Sequence, residues 1–192
     1  MLGIGPRRTM PTLVSMIRGI NVGGHRPLKM DRLRGLHEDL GFRDVRTHLQ
    51  SGNVVFEAGS ADAGAHGLAI EAAILRHCGY GVAVAVRTAK AMSAVLAGNP
   101  LLRLRAVDEK FLHATFLVRP ASPCSLEGLE LPLARGERAH LAGETLYLYC
   151  PLGYGNTKLS NTFFERKLGV AATTRNWLTV TALDKLARGG PR

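Results

Sequence analysis

Arg18-Gly19-Ile20-Asn21-Val22-Gly23-Gly24 breaks off an apolar run as a glycine loop that carries its own cation, with His25 and Lys29 close behind. Glycines let main-chain N–H groups turn toward a ligand, and Arg, Asn and Lys side chains add charge and hydrogen bonds, so these residue types suit the capture of an anion. Gln50-Ser51-Gly52-Asn53 is a second polar loop with a glycine in it. A third stretch, Pro151-Leu152-Gly153-Tyr154-Gly155-Asn156-Thr157-Lys158, follows one element and opens another, which is where free N–H groups and an amine hold phosphate or carboxylate. It does not match GxxxxGK[ST], because no glycine directly precedes Lys158 and Thr157 comes before the lysine. In Thr173-Thr174-Arg175-Asn176-Trp177 a threonine can cap the last helix, which puts Arg175 and Asn176 in its first turn. A cation there opposes the helix dipole and so points to a ligand or a carboxylate partner.

Each loop also has a plain structural reading. Gly and Asn are what tight turns need, and Lys158 can be an exposed lysine beside a cap. Trp177 reads as a core anchor, since Val180 and Leu183 continue its face, and His113 on an apolar strand reads as a satisfied core histidine. HExxH and GxSxG are missing and no thiol has an evident His partner, so hydrolytic and metal chemistries lack their usual parts, and neither a metal nor a cofactor is expected. His25, Tyr154 and Lys158 are the candidate proton donors if the loops serve catalysis.

The elements that must position these residues follow from hydrophobic spacing. Thr12 to Arg18 suits a central strand, and Met30 to Leu40 a helix with Leu33, Leu36 and Leu40 on one face and Gly41 as its stop. Asp44 to Gln50 and Asn53 to Glu57 form a hairpin, Ala65 to Cys78 a helix with Leu68, Ala72 and Leu75 on one face and Ile70 and Ile74 beside it, and Val82 to Arg87 a strand. That order is βαββαβ. A helix over Ala89 to Ala97 ends before Asn99-Pro100. The order then restarts with a strand over Phe111 to Val118, a short helix or turn over Ser125 to Leu129, a hairpin of Glu137 to Leu141 with Thr145 to Cys150, and a helix from Lys158 to Leu168. No apolar strand follows, and a final helix runs to Ala187. The expected fold is α+β with two tandem ferredoxin-like (split βαβ) units, the second lacking its last strand and ending in helices. Residues 1–9 form a disordered extension, 10–98 the first unit, 99–110 a connection and 111–192 the second unit. In such a unit the loop after the first strand and the hairpin turn meet at one sheet edge, which brings Arg18 to Gly24 beside Gln50 to Asn53.

Composition sets the class of partner. A chain of 192 residues with 46% hydrophobic content is an ordinary folded protein, and its formal charge of +10 favours polyanions. Residues 151–192 hold seven basic residues against Glu165 and Asp184. Cys78, Cys124 and Cys150 are odd in number and unpaired by spacing, and neither a signal peptide nor an apolar span is visible, so the expectation is a cytoplasmic protein with no membrane contact. Base stacking on the sheet is not expected, because the first strand has no aromatic residue and the third only Phe56.

MPTLVSMIRGINVGGHRPLKM, LGFRDVRTHLQSGNVVFE, YGNTKLSN and ERKLGVAATTRNWLTVTAL together resemble the bacterial domain of unknown function 1697 family, from Met10 to Leu186. The resemblance implies a compact α+β protein of two ferredoxin-like units and no particular reaction. It places family-typical positions at Arg18, Gly19, Asn21, Gly23, Gly24, Lys29, Gln50, Ser51, Gly52, Asn53, Tyr154, Gly155, Lys158, Asn161, Arg175, Asn176 and Trp177. The functional expectation is a phosphate-bearing ligand, nucleotide or nucleic acid, held by the glycine-rich polar loops. A small-metabolite enzyme using the same loops and a structural or self-association protein are the alternatives.

Overall fold

The computed structural model describes residues 10–105, 107–123 and 129–190. The expected extension at 1–9 and nearly all of the element expected at 125–129 lie outside the described residues. In chain order the elements are β1 (Thr12–Ile17), α1 (Met30–Asp39), β2 (Arg43–His48), β3 (Asn53–Glu57), α2 (Ala63–Cys78), β4 (Val84–Thr88) and α3 (Ala89–Ala97). Then come β5 (Leu112–Leu117), β6 (Arg138–Ala142), β7 (Thr145–Tyr149), α4 (Asn161–Leu168), β8 (Ala172–Asn176) and α5 (Trp177–Ala187). Short 3-10 turns lie at Pro100–Arg103, Glu109–Phe111 and Tyr154–Asn156. No helix among the described residues is long and apolar enough to cross a membrane.

The strands form two antiparallel four-stranded sheets with the same order, β2-β3-β1-β4 and β6-β7-β5-β8. The central strands β1 and β5 are almost wholly buried because each sheet is covered on both faces. Leu13, Ile17, Val54 and Phe56 face α1 and α2, whereas Leu117, Leu146 and Leu148 face α4. The opposite faces share one core. Val14, Met16 and Val55 of the first sheet meet Ala114, Phe116 and Tyr147 of the second, together with Met92 of α3 and Trp177, Val180 and Leu183 of α5. Trp177 is thus a core anchor, as its spacing suggests.

Three expectations are corrected. The second sheet does have its last strand: β8 pairs along β5 from His113↔Asn176 to Leu117↔Ala172. Thr173-Thr174-Arg175 conceals it because its inward side chains are satisfied by hydrogen bonds instead of apolar contact. Arg175 is therefore a strand residue, and Asn176 is the cap of α5, its side chain accepting from the Thr179 N–H at 2.8 Å. On α2 the buried positions are Gly67, Ile70, Ala73 and Ile74, while Leu68 and Leu75 are exposed. Gly67 lets the helix approach β4 so closely that a Cβ there would lie 3.2 Å from the Val84 carbonyl oxygen, and that contact selects the Ile70 face.

Two arginines cross between the sheets. Arg87, in β4, donates through Nη2 to the Leu117 carbonyl at the end of β5 (2.7 Å) and pairs with the Glu144 carboxylate (2.9 Å). Arg175, in β8, donates through Nη2 to the Ile17 carbonyl at the end of β1 (2.8 Å) and to the Ser51 carbonyl (3.0 Å). Both are 8% exposed, and burial lowers the pKa of each.

Ser15 and His37 form a buried pair under the first sheet, with Oγ and Nε2 3.0 Å apart. His37 Nδ1 lies 2.9 Å from the Leu33 carbonyl, which can only accept, so Nδ1 carries the proton and Nε2 accepts from the serine hydroxyl. Neither side chain reaches solvent, so this is a core contact, not a nucleophile with its base. Burial pulls His37 down to about 4, outweighing the upward pull of the Leu33 carbonyl. The unfolded chain then binds a proton that the folded one refuses. His37 therefore stabilises the fold fully above pH of about 6.5 and loses on the order of 3 kcal/mol as pH falls toward 4. Urea unfolding from pH 7 to pH 4 should show this slope in the wild type and a clearly shallower one in His37→Gln.

Candidate functional site

A cleft of about 850 Å³ opens where the two sheets meet at the ends of β1 and β8. The first half contributes Arg18, Gly19, Ile20, Val22, His25, Arg26, Leu49 and Ser51; the second contributes Tyr154, Asn161, Thr173, Thr174, Arg175, Asn176 and Thr179. Residues singled out in the sequence thus converge here from four separate segments.

The glycine loop is built differently from a phosphate cradle. Val22 and His25 form a bridge closed by Gly23 and Gly24 at φ 57 and 77, and the His25 N–H already donates to the Val22 carbonyl at 3.0 Å. The paired positive φ values are those of a type I′ hairpin turn, so these glycines shape a small exposed flap. The Asn21 N–H is also taken, by the Arg26 carbonyl at 3.2 Å. Asn21 itself is a staple. Its Nδ2 donates to the Leu28 and Gln50 carbonyls at 2.8 Å each, and its Oδ1 accepts from the Leu28 N–H at 2.8 Å. The flap is thereby tied to the β2–β3 turn, and Gln50 serves through its backbone. Gly52, at φ 75, closes that turn onto β1, where any Cβ would come within 2.7 Å of Ile20.

Arg175 forms the floor. Its Nε donates to Asn53 Oδ1 (2.5 Å), Nη1 to the Thr173 hydroxyl and the Thr174 carbonyl (2.7 and 2.9 Å), and Nη2 to Ile17 and Ser51 as above. All five N–H donors of the guanidinium are used, every acceptor is neutral, and burial takes the pKa down to about 10. The group is charged at neutral pH. Asn53, fully buried, orients this hub by donating to the His48 carbonyl and Ser51 Oγ.

Arg18 is paired instead of free. Its Nε and Nη2 donate to the two oxygens of Glu165 at 2.5 and 2.9 Å, and Glu165 Oε1 also accepts from the Ala172 N–H at 3.0 Å. Burial would raise the Glu165 carboxyl, but the Arg18 hydrogen bond, the Ala172 N–H and the Arg18 charge together hold it below its ordinary value. The Glu165 hydrogen bond likewise raises Arg18, against its burial. Arg18 and Arg26 also border a second hollow of about 590 Å³ that contains Glu71, Arg119 and Glu165.

On the far wall Tyr154 donates to Thr174 Oγ1 (2.9 Å), which donates to Asn161 Oδ1 (2.7 Å), and the Tyr154 ring stacks on His113 at 4.8 Å. Burial pushes the Tyr154 hydroxyl up, so its proton is committed to this chain. Lys158 is exposed and precedes the Ser160 cap of α4, Gly155 lies in an exposed 3-10 turn, and Lys29 sits at the start of α1 beside Cys78 and Tyr80. None of these three lines the cleft. The expected helix start at Lys158 is accordingly moved to Asn161.

Glu165, Arg26 and Leu49 were not among the expected site residues. Arg26 could have been found as the next cation after His25, whereas Glu165 is joined to Arg18 only by the fold. Leu49 is a β2–β3 turn residue at φ 58, left-handed backbone that a leucine rarely adopts, and it is 56% exposed at the cleft rim. Among the described residues no group of three or more His, Cys, Asp or Glu side chains could hold a metal ion.

The family described as Protein of unknown function (DUF1697) matches residues 10–147. The chain belongs to that family. The match includes the glycine flap and the β2–β3 turn, while the segments carrying Tyr154, Asn161 and Arg175, which the sequence resemblance included, lie beyond it. The fold is similar to that of the conserved bacterial protein SP0830 from Streptococcus pneumoniae, with a TM-score of 0.67 and 21% identity over 93% of this chain and 99% of that one. A comparison with curated proteins finds no match.

Two outcomes follow for this DUF1697 protein. Arg175→Met removes five donors from buried and half-buried acceptors and should cost about 3–5 kcal/mol by urea unfolding, with Arg175→Lys in between, because an ammonium cannot reach the same set. Leu49→Asn relieves left-handed strain at an exposed position and should stabilise by about 0.5–1 kcal/mol.

Proposed function

We propose that the cleft between the sheets binds a small anionic ligand. The observation that carries this reading is Arg175: a buried cation in the cleft wall whose hydrogen-bond acceptors are all neutral. A charge held this way leaves positive potential at the base of the cleft that no carboxylate among the described residues balances, and an anion entering it is attracted to that charge. Hydroxyl and amide groups of Ser51, Thr173, Asn161 and Asn176 stand around the same hollow.

Shape favours a small molecule over nucleic acid. The charge lies at the bottom of a recess, Arg18 is neutralised by Glu165, and Arg26 alone is an exposed arginine at the rim. A volume of about 850 Å³ suits a metabolite up to the size of a mononucleotide. No catalytic step is assigned, because Tyr154 is hydrogen-bonded away.

The same reading treats the chain as two ferredoxin-like units, 10–98 and 111–192, joined by 99–110, and the matching strand order of the two sheets supports it. The cleft then lies between repeats. Cys78 and Cys150 are free thiols, which suits the reducing cytoplasm.

Calorimetric titration at low ionic strength with inorganic phosphate, acetate, AMP and a single-stranded RNA tests the proposal. A small anion should bind with weak salt dependence, and Arg26→Ala should weaken it about fivefold to tenfold. Failure of all three small anions to bind, or steeply salt-dependent binding of RNA alone, would overturn it.

A further inference from the structure

Arg87 occupies, on the other side of the shared core, the place that Arg175 occupies at the cleft. Each is the fourth residue of the last strand of its sheet and lies opposite the third residue of the first strand, Val14↔Arg87 and Ala114↔Arg175. Both cross to the other sheet to donate to the carbonyl that ends its first strand, Leu117 for Arg87 and Ile17 for Arg175. The N–H groups of those two residues make equivalent bonds as well. Leu117 donates to the Glu144 carbonyl at 2.9 Å, and Ile17 donates to the Gly52 carbonyl at 2.8 Å. The following helices are capped alike, Thr88 on the Ala91 N–H and Asn176 on the Thr179 N–H, and Ala91 and Thr179 each border the neighbouring hollow.

The two guanidinium groups are answered differently: Asn53 Oδ1 and the Thr173 hydroxyl accept from Arg175, whereas the side-chain acceptor of Arg87 is a carboxylate. Beside Arg87 the chain supplies a carboxylate, Glu144, 2.9 Å from Nη2, in a hollow of about 350 Å³. Beside Arg175 the corresponding backbone position is Gly52, which has no side chain, and the hollow is more than twice as large. Resting on the reading of the cleft as an anion site, we propose that its ligand presents a carboxylate to Arg175 in the place that Glu144 takes against Arg87, sharing the Nη2 protons given to the Ile17 and Ser51 carbonyls as Glu144 shares those that Arg87 gives to Leu117.

Charge matching favours a monoanion. Arg18 is already balanced by Glu165, so the recess holds one unbalanced positive charge, and the carbonyl oxygens of Ile17, Ser51 and Thr174 crowd around it. A phosphate dianion would bring a second negative charge among those oxygens, where only the solvent-screened Arg26 could answer it. The rim suits an apolar body on the carboxylate, because Val22 and Leu49 are both large, exposed side chains bordering the cleft.

The experiment is an NMR titration of the full chain with isobutyrate and with methyl phosphate at matched ionic strength, in wild type and Glu144→Ala. Isobutyrate should shift the amides of Ser51, Thr173 and Asn176 in the wild type, with a Kd about tenfold below that for methyl phosphate. In Glu144→Ala, or in Glu144→Gln if the alanine variant fails to fold, acetate should bind beside Arg87, shift Ala91 and Thr145, and raise the lowered Tm. Methyl phosphate binding the cleft as tightly as isobutyrate would overturn the carboxylate class while leaving the anion site standing. Acetate binding beside Arg87 in the variant, with no anion moving the cleft, would overturn the anion site itself. Absence of any acetate response beside Arg87 in both variants would overturn the equivalence of the two arginines.

Discussion

Two buried guanidinium groups, each rooted in one sheet and hydrogen-bonded to the strand ends of the other, are the constraint on which this fold depends. The apolar core between the sheets is large but non-directional, so by itself it would tolerate sliding of one sheet over the other. Arg87 and Arg175 remove that freedom. Their planar donors demand particular carbonyls, Leu117 and Glu144 on one side and Ile17 and Ser51 on the other, and a shift of one residue would leave several buried polar groups unpaired.

The cleft follows from that register. Because Arg175 holds the end of β1 and the β2–β3 turn, the flap carried by β1 must hang over β8 and the start of α5, and Asn21 ties it to Gln50. Arg18 then meets Glu165 across the junction, a partly exposed contact that adds less stability than the buried arginines but closes the wall between two hollows. The polar residues of the site are thus mostly structural first. What remains unbalanced is the charge of Arg175, and its counterpart Arg87, already matched by Glu144, shows what balance looks like in the same surroundings.

Much of this was legible in the sequence where side chains follow a periodic rule. The apolar run of β1 and the spacing of Leu33 and Leu36 in α1 announced their elements, and the expected crossover placed the Arg18 loop beside Ser51-Gly52-Asn53. Legibility failed where polar groups are buried. β8 was unreadable as a strand because Thr173 and Arg175 satisfy themselves by hydrogen bonds, and Leu68 and Leu75 of α2 face outward, with Ile70 and Ile74 inward, because Gly67, without a side chain, decides how the helix lies. The glycine loop looked like a set of free donors, yet its N–H groups at Asn21 and His25 close a hairpin. Lys158 is expected to open a helix, but α4 begins only at Asn161 and the lysine lies outside the cleft lining.

Hydrogen exchange of the Arg175 side chain tests the cross-sheet hub most directly, because it needs no substitution and reads the donors themselves. The Nε and Nη2 protons of Arg175, which cross to Asn53, Ile17 and Ser51, should exchange on the timescale of the core amides of Ile17 and Phe116, since releasing them requires the sheets to part. Exchange as fast as that of the exposed Arg26 side chain would show that the guanidinium is not held by both sheets and would contradict the account.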